Sequence, residues 1–375
     1  MEHLKFSSSN GEFAKDIRSG INQYFKTNKK NRHCDSSMVA KTVIMISIYL
    51  IPFILLGTGL VTDILLIYTL YLTAGIGMAG IGMNVMHDAL HGSYSKYPWV
   101  NRLMGQSINL IGASVSVWKI QHNVLHHTYT NVSGADDDLN TNKLLRFSPD
   151  KEKLWIHRYQ YIYIWFLYPL LTIQWVTSRD FIRMKEYKKL GFYNKPGEYQ
   201  REFISTLLLK IGYFFISLVL PLIMISQPWY IIFLGFLSMH FLTGTIISVI
   251  FQTAHITPDA MFPTPNDNGS MDDHWYIHQL LTTCNYAPKS TFFSWYIGGL
   301  NHQIEHHLMP NICHVHYKGL SKIVRSVAKK HNLPYHYYPT FFDALCAHQR
   351  KLISLGKREA SESIPTSSGL SILMK

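Results

Sequence analysis

Hydrophobic residues do not spread evenly along this chain; they gather in four long runs, at about 42–61, 64–86, 203–226 and 229–254. Each is near the ~20 residues a helix needs to cross a hydrocarbon core. Leu60–Asp63 and its neighbours separate the first pair and Gln227-Pro228 joins the second, so each pair reads as a helical hairpin. Buried helices of a large soluble protein would not come as long runs paired by very short turns. Two further apolar stretches, 103–118 and 161–176, are shorter or mixed with polar residues. Tyr159, Tyr161, Tyr163, Trp165, Tyr168 and Trp175 suit a helix lying at headgroup level, and a fifth or sixth span is the less favoured reading. Lys210, near the entry to the third run, is expected to snorkel to the interface.

Between the runs the chain is polar, and its charge sets an expected orientation. The two hairpin turns contain no Lys or Arg, whereas the arm 1–41, the segment 87–202 and the region after His255 carry nearly all of them. The positive-inside rule then puts both termini and the central segment in the cytoplasm. The arm lacks the apolar core and cleavage site of a secretory signal. The expected organisation is one unit: arm 1–41, first hairpin 42–86, cap segment 87–202, second hairpin 203–254, cap 255–358 and a disordered Ser/Glu/Pro-rich tail 359–375.

Composition sharpens this picture. Charged residues make up only 15%, against a globular norm of about 25%, too few to coat a soluble surface. A net charge of +12 is compatible with anionic lipid surfaces or acidic partners, while the hydrophobic blocks argue against nucleic acid. The four cysteines form no CxxC pair, which leaves neither a disulfide framework nor a zinc ribbon. Histidine is the anomaly, with 20 residues, many in tight groups.

Three groups stand out: His87-Asp-Ala-Leu-His91, His122-Asn-Val-Leu-His126-His127 and His302-Gln-Ile-Glu-His306-His307. Residues four apart share a helix face, so His87 and His91 are expected to project together, as are His122 and His126, with His127 a step further round. A single such pair arises by chance; three clusters, two ending in His-His, do not. All three follow spans or lie between them on the expected cytoplasmic side, with His255 where the last span ends. Structural zinc would want fewer ligands and thiolates. HDALH has the spacing of a zinc-protease motif, with Asp88 in place of its catalytic Glu. Eight or nine nitrogen-rich ligands suffice for two metals, and imidazole suits iron. A redox-active pair could use O2 against an unactivated C–H bond. A histidine-rich transporter would instead place ligands along a path across the membrane, and the spans hold little besides His240.

From His87 to Pro310 the chain resembles the membrane fatty-acid desaturase family. Gly298-Gly-Leu-Asn-His-Gln-Ile-Glu-His-His-Leu-Met-Pro310 is similar to the third box of its front-end subgroup, in which glutamine replaces the first histidine, here Gln303. Phe251-Gln-Thr-Ala-His255 and His278-Gln-Leu-Leu-Thr-Thr-Cys-Asn285 are also similar to this subgroup. The resemblance implies an all-α integral membrane fold, four transmembrane helices beneath a cytosolic helical cap holding a di-iron site. It implies iron ligation by His87, His91, His122, His126, His127, His306 and His307, with His255 and, directly or through water, Gln303. His302 lies one residue off the family position and reads as a support or bystander, though its spacing to His306 leaves ligation open. Implied cofactors are two iron ions, with O2 as co-substrate. The implied substrate is an acyl-CoA or acyl-lipid, gaining a cis double bond between an existing one and the carboxyl end. Acyl or sphingolipid hydroxylation on the same scaffold is the alternative. Many front-end enzymes carry a fused cytochrome b5 with a His-Pro-Gly-Gly motif; none occurs here. The expected electron donor is therefore a separate ferredoxin, rubredoxin or cytochrome b5 with its reductase. Asp88, Glu305 and Asp136–Asp138 are expected acceptors for the outer N–H groups of the imidazoles. For the Asp run, a solvated turn is an equal reading. His240 is expected to pack by hydrogen bonding to a neighbouring helix. His157, His314, His316, His331, His336 and His348 are expected at the surface or in packing.

Overall fold

The computed structural model describes residues 4–9, 11–140 and 143–357; the tail expected to be disordered lies outside them. Helix α1 (Gly11–Asn28) buries Phe13, Ile17, Ile21 and Phe25 along one stripe. Four helices are long and apolar enough to span a membrane: α2 (Ser36–Gly57), α3 (Ile64–Leu90), α4 (Glu198–Met224) and α5 (Trp229–His255). Asp35 and Asp63 start α2 and α3 by accepting the backbone N–H of Met38 (3.1 Å) and Leu66 (2.7 Å), donors with no partner inside the helix. The two hairpin turns meet at the far end, where Gln227 Nε2 donates to the Thr62 carbonyl. All four helices therefore run between that end and one common cap. Ile51 and Ile54 on α2, Leu208, Ile211 and Ile223 on α4, and Leu234 on α5 are exposed, an apolar surface suited to lipid rather than water.

The two other apolar stretches do not span. They break into short pieces, including Val115–Trp118 and the π-helical Lys119–His126, then Gln160–Leu167, Leu171–Gln174 and the π-helical Trp175–Arg179. Lys210 does not snorkel. It is 4% exposed, bridges Asp180 Oδ2 at 2.8 Å and donates to the carbonyls of Gly112 (2.8 Å) and Trp175 (2.5 Å). The apolar stem finds closer partners inward than at the membrane surface. His240 packs as expected, between Tyr213 Oη (2.8 Å) and Thr172 Oγ1 (3.0 Å).

The cap completes the fold with α6 (Trp275–Thr282), α7 (Gln303–Leu308), α8 (Tyr317–Lys330) and α9 (Phe341–Lys357). One core cluster joins α1 to α6, α7 and α8 through Ile17, Ile21, Leu280, Ile304, Leu320 and Val324 with no residue of α2–α5, while α9 packs on α5 through Leu352 and Val249. Strand structure among the described residues amounts to two short parallel pairings, Lys5–Phe6 with Ser270–Met271 and Asn285–Tyr286 with Tyr337–Tyr338. The molecule is thus helical throughout, spans on one side and cap on the other.

Candidate metal centre

The histidines meet where the cap closes over the ends of α3 and α5. His87 and His91 come from the last turns of α3, just after a π-helical segment, Ile81–Val85. His255 is the final residue of α5. His306 and His307 lie on α7, a short helix held from outside: Asn285 Oδ1 accepts the Ile304 N–H at 2.9 Å. The loop before it turns through Gly298, whose φ of 66° and close approach to the Met83 carbonyl leave no room for a Cβ.

The second cluster differs from its expected geometry. Lys119–His126 is π-helical, and the His127 N–H reaches back five residues to the His122 carbonyl at 3.0 Å. In that wider turn His122 keeps His126 beside it, their rings stacked with centroids 5.3 Å apart, and gains His127 as well: the Nε2 atoms of His122 and His127 are 3.2 Å apart. Three groups of nitrogens result, each within 4.8 Å of one another: His87, His91, His122 and His306; His126, His255 and His307; and His127, His306 and His307. His306 and His307 are each shared by two groups, and within the groups Nε2 atoms approach to 3.3 Å (His87–His122) and 3.0 Å (His127–His306).

Two imidazole nitrogens bound to one ion at about 2.0–2.1 Å stand about 2.9–3.4 Å apart. The observed spacings fall in that range. Nε2 of His91, His255 and His307 is buried with no protein partner, as are both amide atoms of Gln303. A buried polar atom without a partner is costly, and here several aim at one place. Burial holds His122, His127, His306 and His307 well below the usual imidazole pKa, so their lone pairs are free. A nitrogen-rich first-row metal centre fits these residues.

The outer nitrogens are held in place. Asp136, fully buried, brings both carboxylate oxygens to 3.1 Å from His126 Nδ1, and Asp138 stands at 3.5 Å. Although burial opposes its charge, these carboxylates raise the His126 ring to about 9. The Asp run is therefore a support for the cluster at Asp136 and only at its edge a solvated turn. His307 Nδ1 faces Gln279 Oε1 (2.9 Å), and His306 Nδ1 faces Tyr317 Oη (3.3 Å). His255 Nδ1 lies 3.3 Å from the Thr282 carbonyl. Asp88 contacts no cluster nitrogen; it faces His314 Nδ1 (2.8 Å) and accepts from Cys313 Sγ (3.0 Å), because the chain after α7 folds back against it. Glu305 accepts from Asn285 Nδ2 and Tyr335 Oη, and burial pushes its carboxyl up to about 7. His302 is buried 3.7 Å from Glu305 and belongs to none of the nitrogen groups.

Sequence reasoning missed Tyr317, Gln279 and His314. His314 is no surface residue: its Nε2 meets the buried Lys41 Nζ at 2.8 Å. Gln279 lay within a motif already singled out, whereas nothing local marks Tyr317. His157 and His348 are packing residues, hydrogen bonded to the carbonyls of Lys143 and Ile256.

A cavity of about 680 Å³ reaches this centre, with His122, Trp118, Phe251 and Met86 in its wall alongside Leu171 and Ile247. The Trp118 ring lies 4.5 Å from that of His122 and lines both cavity and cluster.

The fatty acid desaturase profile matches residues 64–339. The chain belongs to the fatty acid desaturase family. It is 34% identical over 348 residues to the sn-1 linoleoyl-lipid 6-desaturase of Arthrospira platensis, covering 92% of each chain. The Synechocystis sp. (strain ATCC 27184 / PCC 6803 / Kazusa) enzyme of the same name is 34% identical over 362 residues, 95% of this chain and 98% of that one. The acyl-lipid (8-3)-desaturase of Physcomitrium patens is 32% identical over 354 residues, 94% of this chain and 73% of the moss protein. As a desaturase this protein is an oxidoreductase of lipid metabolism, and its four apolar helices accord with a membrane enzyme.

Proposed function

We propose that this desaturase inserts a cis double bond into an acyl chain of a membrane lipid, between an existing double bond and the carboxyl end. The observation that carries the reading is His122, which stands both in the nitrogen cluster and in the wall of a cavity that pairs apolar residues such as Trp118, Phe251 and Met86 with charged ones such as Asp138, Arg179 and Arg183. A methylene pair seated there lies against the centre. The front-end position is supported by Gln303 in the third box and by relatives named as 6- and (8-3)-desaturases. The acyl-lipid carrier is supported by those same names.

In this reading two iron ions are held by His87, His91, His122, His126, His127, His255, His306 and His307, with Gln303 binding directly or through water. When bound, they supply O2 reduction and the oxidising power to remove two hydrogens. The balance is one –CH2–CH2– unit, O2, two electrons and two protons giving –CH=CH– and two waters. The protein's own part is positioning. Trp118 and Phe251 confine the chain beside His122. Asp136, Gln279 and the Thr282 carbonyl accept the Nδ1 protons of His126, His307 and His255, leaving Nε2 inward. The hairpin turns lack Lys and Arg, which supports a cytoplasmic cap and a separate cytoplasmic electron donor.

The test is the fatty-acid profile of a host expressing the chain, fed linoleate and oleate, with an electron-transfer system co-expressed. Mass spectrometry locates the double bonds, and His306→Ala is the control. A new His306-dependent double bond on the carboxyl side of an existing one is expected. An added oxygen, or a bond on the methyl side, overturns the reading.

A further inference from the structure

The cap carries a strongly basic face that the chemistry above leaves unused. On α8, Lys318, Lys322, Arg325 and Lys329 follow one another at helical spacing, all exposed, and the helix contains no acidic residue. On α1, Lys15, Arg18 and Lys26 form a matching exposed stripe around a shallow depression. The two helices are pressed together: Ile323 Cγ2 stands 2.7 Å from where a Cβ on Gly20 would be, and Tyr24 Oη 2.5 Å from that of Gly319. Acidic charge on the two helices is confined to Glu12 and Asp16, both on α1. Asp16 is already bridged to Lys330 (2.6 Å) and His331 (2.8 Å).

Two observations say what this face receives. The first is its proximity to the centre: α8 begins at Tyr317, whose hydroxyl lies 3.3 Å from His306 Nδ1. An α-helix with its side chains is about 10–12 Å across, so the outer surface of the first turn of α8, at Lys318, is about one helix diameter from the cluster. The second is the lack of anything to enter lipid. No residue of Gly11–Asn28 or Tyr317–Lys330 is among the exposed large hydrophobics, which crowd α2–α5 instead. The core beneath the face shares no residue with the spans. Helices that lie in a membrane interface pair basic residues with aromatic or aliphatic anchors, and this face has none.

We propose that the paired stripes of α1 and α8 dock an acidic one-electron carrier protein, which delivers the two electrons of the reaction one at a time on the side of His306. The proposal rests on the desaturase reading, which supplies the need for electrons. Complementary charge steers the encounter and raises its rate, while Tyr317 and the apolar core of α8 fill the interval to the cluster.

The experiment uses the full-length protein in phosphatidylcholine nanodiscs, with and without phosphatidylglycerol, and a plant-type ferredoxin as probe. Three proteins are compared: wild type, Lys322→Glu/Lys329→Glu with Lys15→Glu, and Lys185→Glu/Lys189→Glu on a different helix. The Kd for ferredoxin is measured at several salt concentrations, together with iron content and the KM for ferredoxin and for lipid. The expected result is a Kd and ferredoxin KM raised about tenfold or more by the α1/α8 triple variant in either nanodisc. Its kcat at saturating ferredoxin, lipid KM and iron content stay as in wild type, and the Lys185/Lys189 variant changes by less than about twofold. A loss of salt dependence in the triple variant supports the same conclusion. An unchanged Kd overturns the proposal, as does a defect seen only with phosphatidylglycerol, which would make the face a lipid contact. A wild type that forms no double bond with any electron source overturns the desaturase reading itself, and that outcome is distinct from active enzyme with an indifferent α1/α8 face.

Discussion

Replacing Lys210 by methionine tests whether a buried ion pair on the third span holds the approach to the metal centre. Among the described residues the ammonium is the only side-chain cation bridging the buried Asp180, and it also occupies the carbonyls of Gly112 and Trp175. Methionine keeps the stem's volume and removes every one of these contacts. The Ser114 N–H, 3.0 Å from Asp180 Oδ2, would remain as a donor. Stranding one partner of a buried pair costs about 3–5 kcal/mol. The carboxyl of Asp180 is already pushed up by burial, so it can take a proton instead, which keeps the loss near about 3 kcal/mol at neutral pH. At about 2–4 °C per kcal/mol this is a fall of roughly 6–12 °C in unfolding temperature. The pH dependence has a definite sign. In the variant the folded-state pKa of Asp180 lies still further above its unfolded value, so stability is greatest at low pH and is lost as pH rises through the folded pKa. Lys210→Met/Asp180→Asn removes the stranded charge and should recover most of the loss. The assay is thermal unfolding in detergent across a pH series, run as a double-mutant cycle. A fall under about 2 °C, or a double variant no better than the single, would refute the reasoning. Because the same contacts fix the turn at 112–114 that leads into the second histidine cluster, turnover should fall with stability.

Asp136→Asn removes the acceptor for His126 Nδ1 while preserving volume, and a loss of about 10–100-fold in iron affinity or activity is expected; full iron occupancy at normal affinity would contradict it. In the metal-free wild type, His126 must shed its proton to bind, so iron affinity should fall as pH drops below about 9, a dependence that Asp136→Asn weakens. His302→Gln should leave iron content near wild type, whereas His306→Ala should empty at least one position; equal loss from both would place His302 among the ligands.

The spans were legible because length and hydropathy alone decide whether a helix can cross a membrane. The residue types of the site were legible for a similar reason: few other roles ask for so many histidines so close together. Their grouping was not. A helical period of 3.6 puts His122 beside His126, where the two rings do stack, but nothing in the residues themselves announces the π turn that brings His127 to His122 as well. Lys210 was misread because Asp180, its partner, lies in another segment, and a sequence shows a charge without its counterion. Tyr317 and His314 were invisible for the same reason: Tyr317 meets His306 and His314 meets Asp88, partners that folding alone brings near. The π turn also explains how adjacent residues can serve different neighbours. His126 turns to His255 and His307 with Asp136 behind it, while His127 faces His122 and His306. One wide turn thus lets a single helical segment serve three groups of imidazoles: His122 with His87, His91 and His306, His127 with His306 and His307, and His126 with His255 and His307.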